Sequence, residues 1–273
     1  MLANRWVNGL DTLQIRSVFS FISKSKRLVL LGLTLFGSAL ALSSTAAAYT
    51  DARDTSTKTE KLGFNFPQSF ESKFHAFRHD KKIGNASLRL SQLSSTEFQL
   101  NYESKVSRYF LSDKRSEETV FSYQDNRIMP VSYTFHRKGT GPNKSLKVTF
   151  DSKEKIIKID DQEDQVWEGE YDNQLFRIDI SRQLALGKSA FDYKFLNYRG
   201  QKREYNIEVV ETESLALPYG TIDAVKVKVN RGSNKRQTYA WFAPSLDYVL
   251  VRIQQFKDGE EQGDIRLSSY NKQ

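Results

Sequence analysis

The residues able to do chemistry are few, and their spacing argues against most of it. The chain holds three histidines, His75, His79 and His136, and no cysteine. His75 and His79, four apart, would face a single metal ion on a helix. The residues around them alternate as a strand does, and a rise of roughly 3.3 Å per residue sets the two imidazoles about 13 Å apart. No metal site is expected there. Asp160-Asp-Gln-Glu-Asp164 is dense in oxygen ligands but has Gln165 at the sixth position, where a calcium loop needs glycine, and it lacks the closing bidentate glutamate. It reads as a solvated turn. Ser189 follows Gly187-Lys188 without the second glycine of a nucleophile elbow, and Gly139-Thr-Gly141 is too short to cradle phosphate. Paired carboxylates such as Glu168 and Glu170 could face together across a strand, the arrangement a glycoside hydrolase would use, and surface charge accounts for them equally well. With no activated nucleophile and base, the expectation is a protein that is not an enzyme and has no cofactor. A cell-wall or polysaccharide hydrolase ranks last among the functional readings.

The elements that must carry these residues are mostly strands. Phe98, Leu100 and Tyr102 alternate with polar neighbours, and so do Val131, Tyr133 and Phe135, then Leu146, Val148 and Phe150. Tyr205, Ile207 and Val209, and Val225, Val227 and Val229, continue the period. Strict alternation means one buried and one wet face, as in antiparallel sheet. Turn residues fall between the runs at 139–142, 151–154 and 232–234, and Asp258-Gly259 is a short hairpin signal. The last part of the chain reads as a four-stranded meander, about 221–230, 236–243, 248–256 and 263–270. One segment departs from the pattern. Asp172-Asn173 precede Gln174 to Leu186, and Gly187 follows, which predicts a short helix. The expected fold is mainly β: one antiparallel meander sheet curled into an open or half barrel, with one short helix packed across it.

The N-terminal residues set the compartment. Arg5, Arg16, Lys24, Lys26 and Arg27 face one acid, Asp11, before an uncharged run from Leu28 to Leu42 and the small residues Ala46-Ala47-Ala48. A basic start, a short apolar core and an A-x-A site make a secretory signal peptide, with cleavage near Ala48. The apolar run is too short for the roughly 20 residues of a membrane span. The basic leader is long for its type, which leaves the true start codon open. Of the formal charge of +8, residues 1–48 carry four net positives, so the mature chain is at +4. That ordinary balance, with lysines and acids interleaved, gives no footprint for nucleic acid. The expected organisation is a signal peptide over 1–48, a polar linker or N-terminal segment over 49–71, and one β-rich domain over 72–273. The mature chain has no further long apolar run, so no transmembrane segment is expected in it, and its place is the periplasm.

Four stretches resemble a known family. Phe74 to Leu90 looks like an opening strand, a glycine turn at Gly84 and a second strand, and Asp172 to Leu186 looks like a mid-domain helix. Leu217-Pro-Tyr-Gly-Thr-Ile-Asp-Ala-Val225 and Trp241-Phe-Ala-Pro-Ser-Leu-Asp-Tyr-Val-Leu-Val-Arg-Ile253 complete the set. In their order and spacing they resemble the domain of unknown function 3108 family of exported bacterial β-rich proteins, over about residues 72–270. Where members commonly have proline after the residue matching Val249, this chain has Leu250. The resemblance implies an exported sheet protein and no established activity, substrate or catalytic residue.

Two non-catalytic readings follow. In the first, the curled sheet holds a hydrophobic or lipid-like envelope ligand, its lining drawn from 18 Phe, 13 Tyr and 3 Trp. In the second, the chain is an envelope scaffold or assembly partner that offers a sheet face or edge to another protein. The candidate ligand residues are Tyr239, Trp241, Phe242, Tyr248 and Leu250, because both strands around the Pro244 turn are apolar on two faces. Trp241 itself is expected first as core packing and second as cavity lining.

Overall fold

In the computed structural model, residues 68–232 and 235–273 are described. The predicted leader, its cleavage near Ala48 and the polar segment through residue 67 lie outside them, as do Ser233 and Asn234 of the expected 232–234 turn. The described chain is one antiparallel sheet of 14 strands with a single α-helix. From the N-terminus, β1 (Phe70–Arg78), β2 (Lys81–Gln92), β3 (Glu97–Arg108), β4 (Leu111–Gln124), β5 (Arg127–Gly139), β6 (Lys144–Asp151), β7 (Ile156–Ile159) and β8 (Gln165–Val166) are successive neighbours. After α1 (Leu175–Ala185) come β9 (Ala190–Leu196), β10 (Lys202–Leu217), β11 (Gly220–Asn230), β12 (Arg236–Ala243), β13 (Val249–Lys257) and β14 (Glu260–Lys272). They too are successive neighbours, and β14 closes the series by pairing with β1. Phe70 lies opposite Lys272, Phe74 opposite Leu267, and the Gln273 N–H donates to the Ser69 carbonyl at 2.7 Å.

Tight turns keep the strands in register. His79-Asp80, Asp125-Asn126 and Asp258-Gly259 each link two strands with both residues at positive φ, the backbone that matches the right-handed twist of a hairpin. Two expectations change here. The predicted linker runs two residues too far, since Phe70 and Glu71 already belong to β1, and the first hairpin turns at His79-Asp80 rather than at Gly84. Gly84 sits inside β2 opposite Val106, where a Cβ would lie 2.1 Å from the Lys105 carbonyl oxygen. The glycine permits a close strand approach and makes no turn.

The curl brings β8 and β9, the two ends of the sheet, to one strap. The Trp167 N–H donates to Lys155 O (2.8 Å) on the β7 side, while Tyr171 exchanges backbone hydrogen bonds with β9 through Lys194 O (3.0 Å) and the Leu196 N–H (2.7 Å). Side chains complete the seam: Gln165 Nε2 donates to Gly200 O at 2.8 Å, and Lys202 Nζ to Val166 O at 2.6 Å. An edge left bare would invite pairing with another chain, and the strap occupies both edges.

The helix lies within the curl. Leu175 and Ile178 pack in one core with Phe70, Phe74, Leu88, Leu90, Leu100 and Phe121, and Phe176, Ile180 and Leu184 in a second with Phe195, Tyr205, Val227, Phe242 and Ile253. The Phe176 and Phe195 rings stack at 4.9 Å. A third core, around Tyr133, Phe135, Val148, Ile157 and Trp167, fills the β5–β8 side. Because α1 is enclosed on nearly every side, it has no simple apolar stripe. Its first turn is capped by Asp172, whose Oδ1 accepts the N–H groups of Gln174 (2.8 Å) and Leu175 (2.9 Å).

Candidate functional site

The inward positions along β4 are Asp113, Arg115, Glu117 and Thr119, a polar row where the neighbouring strands place apolar side chains. Three of these residues meet partners from elsewhere in the fold. Arg115 and Arg137 both pair with Asp113, at 2.9 and 3.1 Å. Glu117 Oε2 accepts from the Tyr133 hydroxyl and from Asn173 Nδ2, each at 2.6 Å. Thr119 Oγ1 donates to Asp172 Oδ1 at 2.9 Å. These bonds tie the start of α1 to the wall of the curl. Burial pushes the Asp172 carboxyl up to about 7, although three hydrogen bonds to its oxygen pull the other way. Burial, reinforced by Glu117, holds the Tyr133 hydroxyl well above its ordinary range.

Beside this network lies a cavity. Phe74, Leu88, Tyr102, Leu250, Ile253 and Ile265 give it an apolar wall, and Arg115, Glu117, Asn173, Arg177 and Gln255 bring polar groups to it. Arg177 is the unusual member. It is only 7 % exposed, donates through one nitrogen to Gln174 Oε1 at 2.8 Å, lies 5.8 Å over the Tyr102 ring, and forms no ion pair with any carboxylate among the described residues. A buried charge without a counter-ion costs several kcal/mol unless something else satisfies it. Orphaned groups recur along this segment, the Nε of Arg177 among them. Asp172 Oδ2, Asn173 Oδ1, Gln174 Nε2, Arg177 Nε and Gln183 Oε1 are all buried with no protein hydrogen-bond partner. The open space is about 50 Å³. At roughly 10–15 Å³ for each water, that holds about three to five solvent molecules, well short of the roughly 300–1,000 Å³ of an ordinary ligand pocket.

The five residues singled out from sequence separate here. Leu250 lines the cavity. Phe242, opposite Leu250 in the β12–β13 ladder, is fully buried in the helix-side core, and Tyr248 packs at that core's margin. Trp241 pairs in the ladder with Arg252, and a bulge separates it from Phe242. The Trp241 indole is 2 % exposed, donates from Nε1 to Glu213 at 2.7 Å, and meets the Arg252 guanidinium at 4.7 Å and Lys226 Nζ at 5.6 Å. Half-buried Tyr239 packs beside it at 6.3 Å. Trp241 and Tyr239 therefore form a cation–aromatic ladder that packs with the core holding Leu175 and Ile178 and does not line the cavity. Sequence reasoning missed Arg177, Asn173, Glu117 and Tyr102. The signal available was the lost alternation in β4, where charged residues occupy the inward parity.

The carboxylate pair is divided as well. Glu170 is fully buried and bound to Lys202 at 2.7 Å, while Glu168 is exposed. Burial alone would raise the Glu170 carboxyl, but Lys202 and the Glu168 N–H outweigh it and the net shift is downward. A general acid needs the opposite shift. His79 occupies the β1–β2 turn rather than a strand face shared with His75. A larger outer groove, of about 910 Å³, runs over β1–β5 between side chains that include Lys73, Arg89, Lys105, Lys114 and Lys138.

Residues 76–266 match the model of a family described as protein of unknown function, DUF3108. Among solved structures, the chain is similar to a β-barrel-like protein of domain of unknown function DUF1849 from Brucella abortus. The TM-score is 0.53 at 6 % identity, over 76 % of this chain and 98 % of that one. That likeness is one of fold. A Bacteroides fragilis protein provisionally described as exported, with a YmcC-like fold, aligns over the same shares at 14 % identity and a TM-score of 0.31. No curated protein matches. Among the described residues, no helix is long and apolar enough to cross a membrane.

Proposed function

For this chain, which belongs to the DUF3108 family, we propose a non-catalytic role in the cell envelope: binding an amphiphilic, lipid-like ligand inside the curled sheet. The leader pattern of residues 1–48 supports export to the periplasm. The observation that carries the binding reading is the plug itself. Helix α1 and the Asp172–Gln174 segment before it place five unpartnered polar atoms in the interior, one of them the Nε of a guanidinium without a counter-ion. A half-satisfied polar plug is poorly held, and an apolar occupant with one anionic head would relieve it at Arg177. Since the open space is only about 50 Å³, the ligand is seated by displacement of α1 and not by filling a vacancy.

Native mass spectrometry of the protein isolated from its own envelope tests this. The expected result is a retained mass that organic extraction removes and that Arg177→Met fails to retain. A second variant, Arg177→Lys, keeps a cation at the same place and should still retain the mass. Should the wild-type protein carry no ligand and cross-link reproducibly to one envelope protein, the scaffold reading replaces this one.

A further inference from the structure

The end of the sheet that carries the β1–β2, β3–β4 and β5–β6 turns has a protruding aromatic tip. Pairing of β2 with β3 stops at Gly84–Val106, and pairing of β5 with β4 stops at Asp113–Gly139. Beyond those rungs the β3–β4 hairpin continues, with Ser107 opposite Ser112 and Arg108 opposite Leu111. Thr140 still holds Ser112 through two hydrogen bonds, so at roughly 3.3 Å per residue the hairpin projects about 7 Å past that rung. Its apex is Tyr109-Phe110, exposed to 87 % and 89 %, the two most exposed large apolar side chains among the described residues. Tyr109 also holds φ at 54°, a conformation that glycine or asparagine would take at lower cost.

A row of cations lies behind the tip on one face of the sheet. Lys105, Lys114 and Lys138 lie directly opposite one another on three adjacent strands, and none is ion-paired among the described residues. Like charges in such register repel, so the fold gains nothing from them. Exposed Lys81 and Lys82 begin β2 on the same end of the sheet. Two projecting aromatics with a row of unpaired lysines behind them match an interface of apolar chains beneath anionic headgroups. An acidic glycan would meet the lysines equally well but gives no reason for an apex of exposed phenylalanine held out from the sheet.

We propose that this end of the molecule docks on an anionic phospholipid surface, with Tyr109 and Phe110 entering the headgroup layer and Lys105, Lys114 and Lys138 reading its charge. The proposal stands apart from the interior ligand site. Because the chain has no cysteine, Phe110→Cys carries a single environment-sensitive label at the tip, and Asn126→Cys one on the opposite end. With vesicles containing phosphatidylglycerol, the label at 110 should shift to the blue and the label at 126 should not. Phosphatidylcholine vesicles should give no shift, and the Lys105→Gln, Lys114→Gln, Lys138→Gln triple variant should need at least about ten times more anionic lipid. These side chains are exposed, so matched thermal melts verify folding. An absent shift at 110, an equal shift at 126, indifference to lipid charge, or a response to polygalacturonate but not to vesicles would each overturn the proposal.

Discussion

Asp172 shows how one side chain serves structure at a cost that depends on pH. Its carboxyl caps α1 and is held at about 7, against about 3.9 for an unfolded aspartate. The folded state therefore binds the extra proton between these values, so this group lowers stability progressively as pH rises from 4 to 7. Carboxylates with depressed values, such as Glu170 and Glu213, act in the opposite direction and lose their contribution only as pH falls below about 4.5. Asp172→Asn keeps an oxygen for the Gln174 and Leu175 N–H groups but cannot ionise. In urea unfolding, the variant should gain on the wild type by about 1–3 kcal/mol between pH 5 and pH 8. A difference that does not vary with pH would mean that the cap, not the charge, governs the site.

At the scale of elements, strands were legible and partners were not. Period-two runs such as Val225-Val227-Val229 mark a strand wherever it pairs, and β11 to β14 fall within a few residues of the expected meander. The helix was legible from Asp172-Asn173 and Gly187, but its enclosure was not, because residues buried on all sides carry no stripe to read. The aromatic density at Tyr239–Phe242 looked like one site, and a single bulge divides it between two environments. Gly84 was legible as special but not why, since its neighbour Lys105 belongs to another strand. Gly84→Ala should cost at least about 2 kcal/mol, because the colliding atoms are backbone and β2 and β3 must part. Gly187→Ala is the comparison: its φ is 76° with nothing within 4 Å, so it should cost about 1–2 kcal/mol. Equal losses in chemical denaturation would remove the close-approach explanation.

For the whole molecule, the decisive contact joins β1 and β14, residues nearly the full described length apart. No local pattern announces such a pairing, which is why the order of the sheet could not be read from its strands. Every neighbouring pair but this one is consecutive along the chain, so the first and last described strands meet in the middle of the sheet, while β8 and β9, which flank α1 in sequence, form its ends. The natural chain is thus a continuous ribbon cut at its centre. Joining residue 273 to residue 69 and opening the chain just after Val166 would make every strand follow its spatial neighbour from one margin to the other. Such a permutant loses its longest loop closure and should refold at least several-fold faster in stopped-flow measurements, with the same far-ultraviolet spectrum. An unchanged rate would place the slow step elsewhere. As written, the protein cannot complete its sheet until the last described strand is free, so synthesis from the N-terminus leaves β1 without one of its two neighbours until translation is nearly finished.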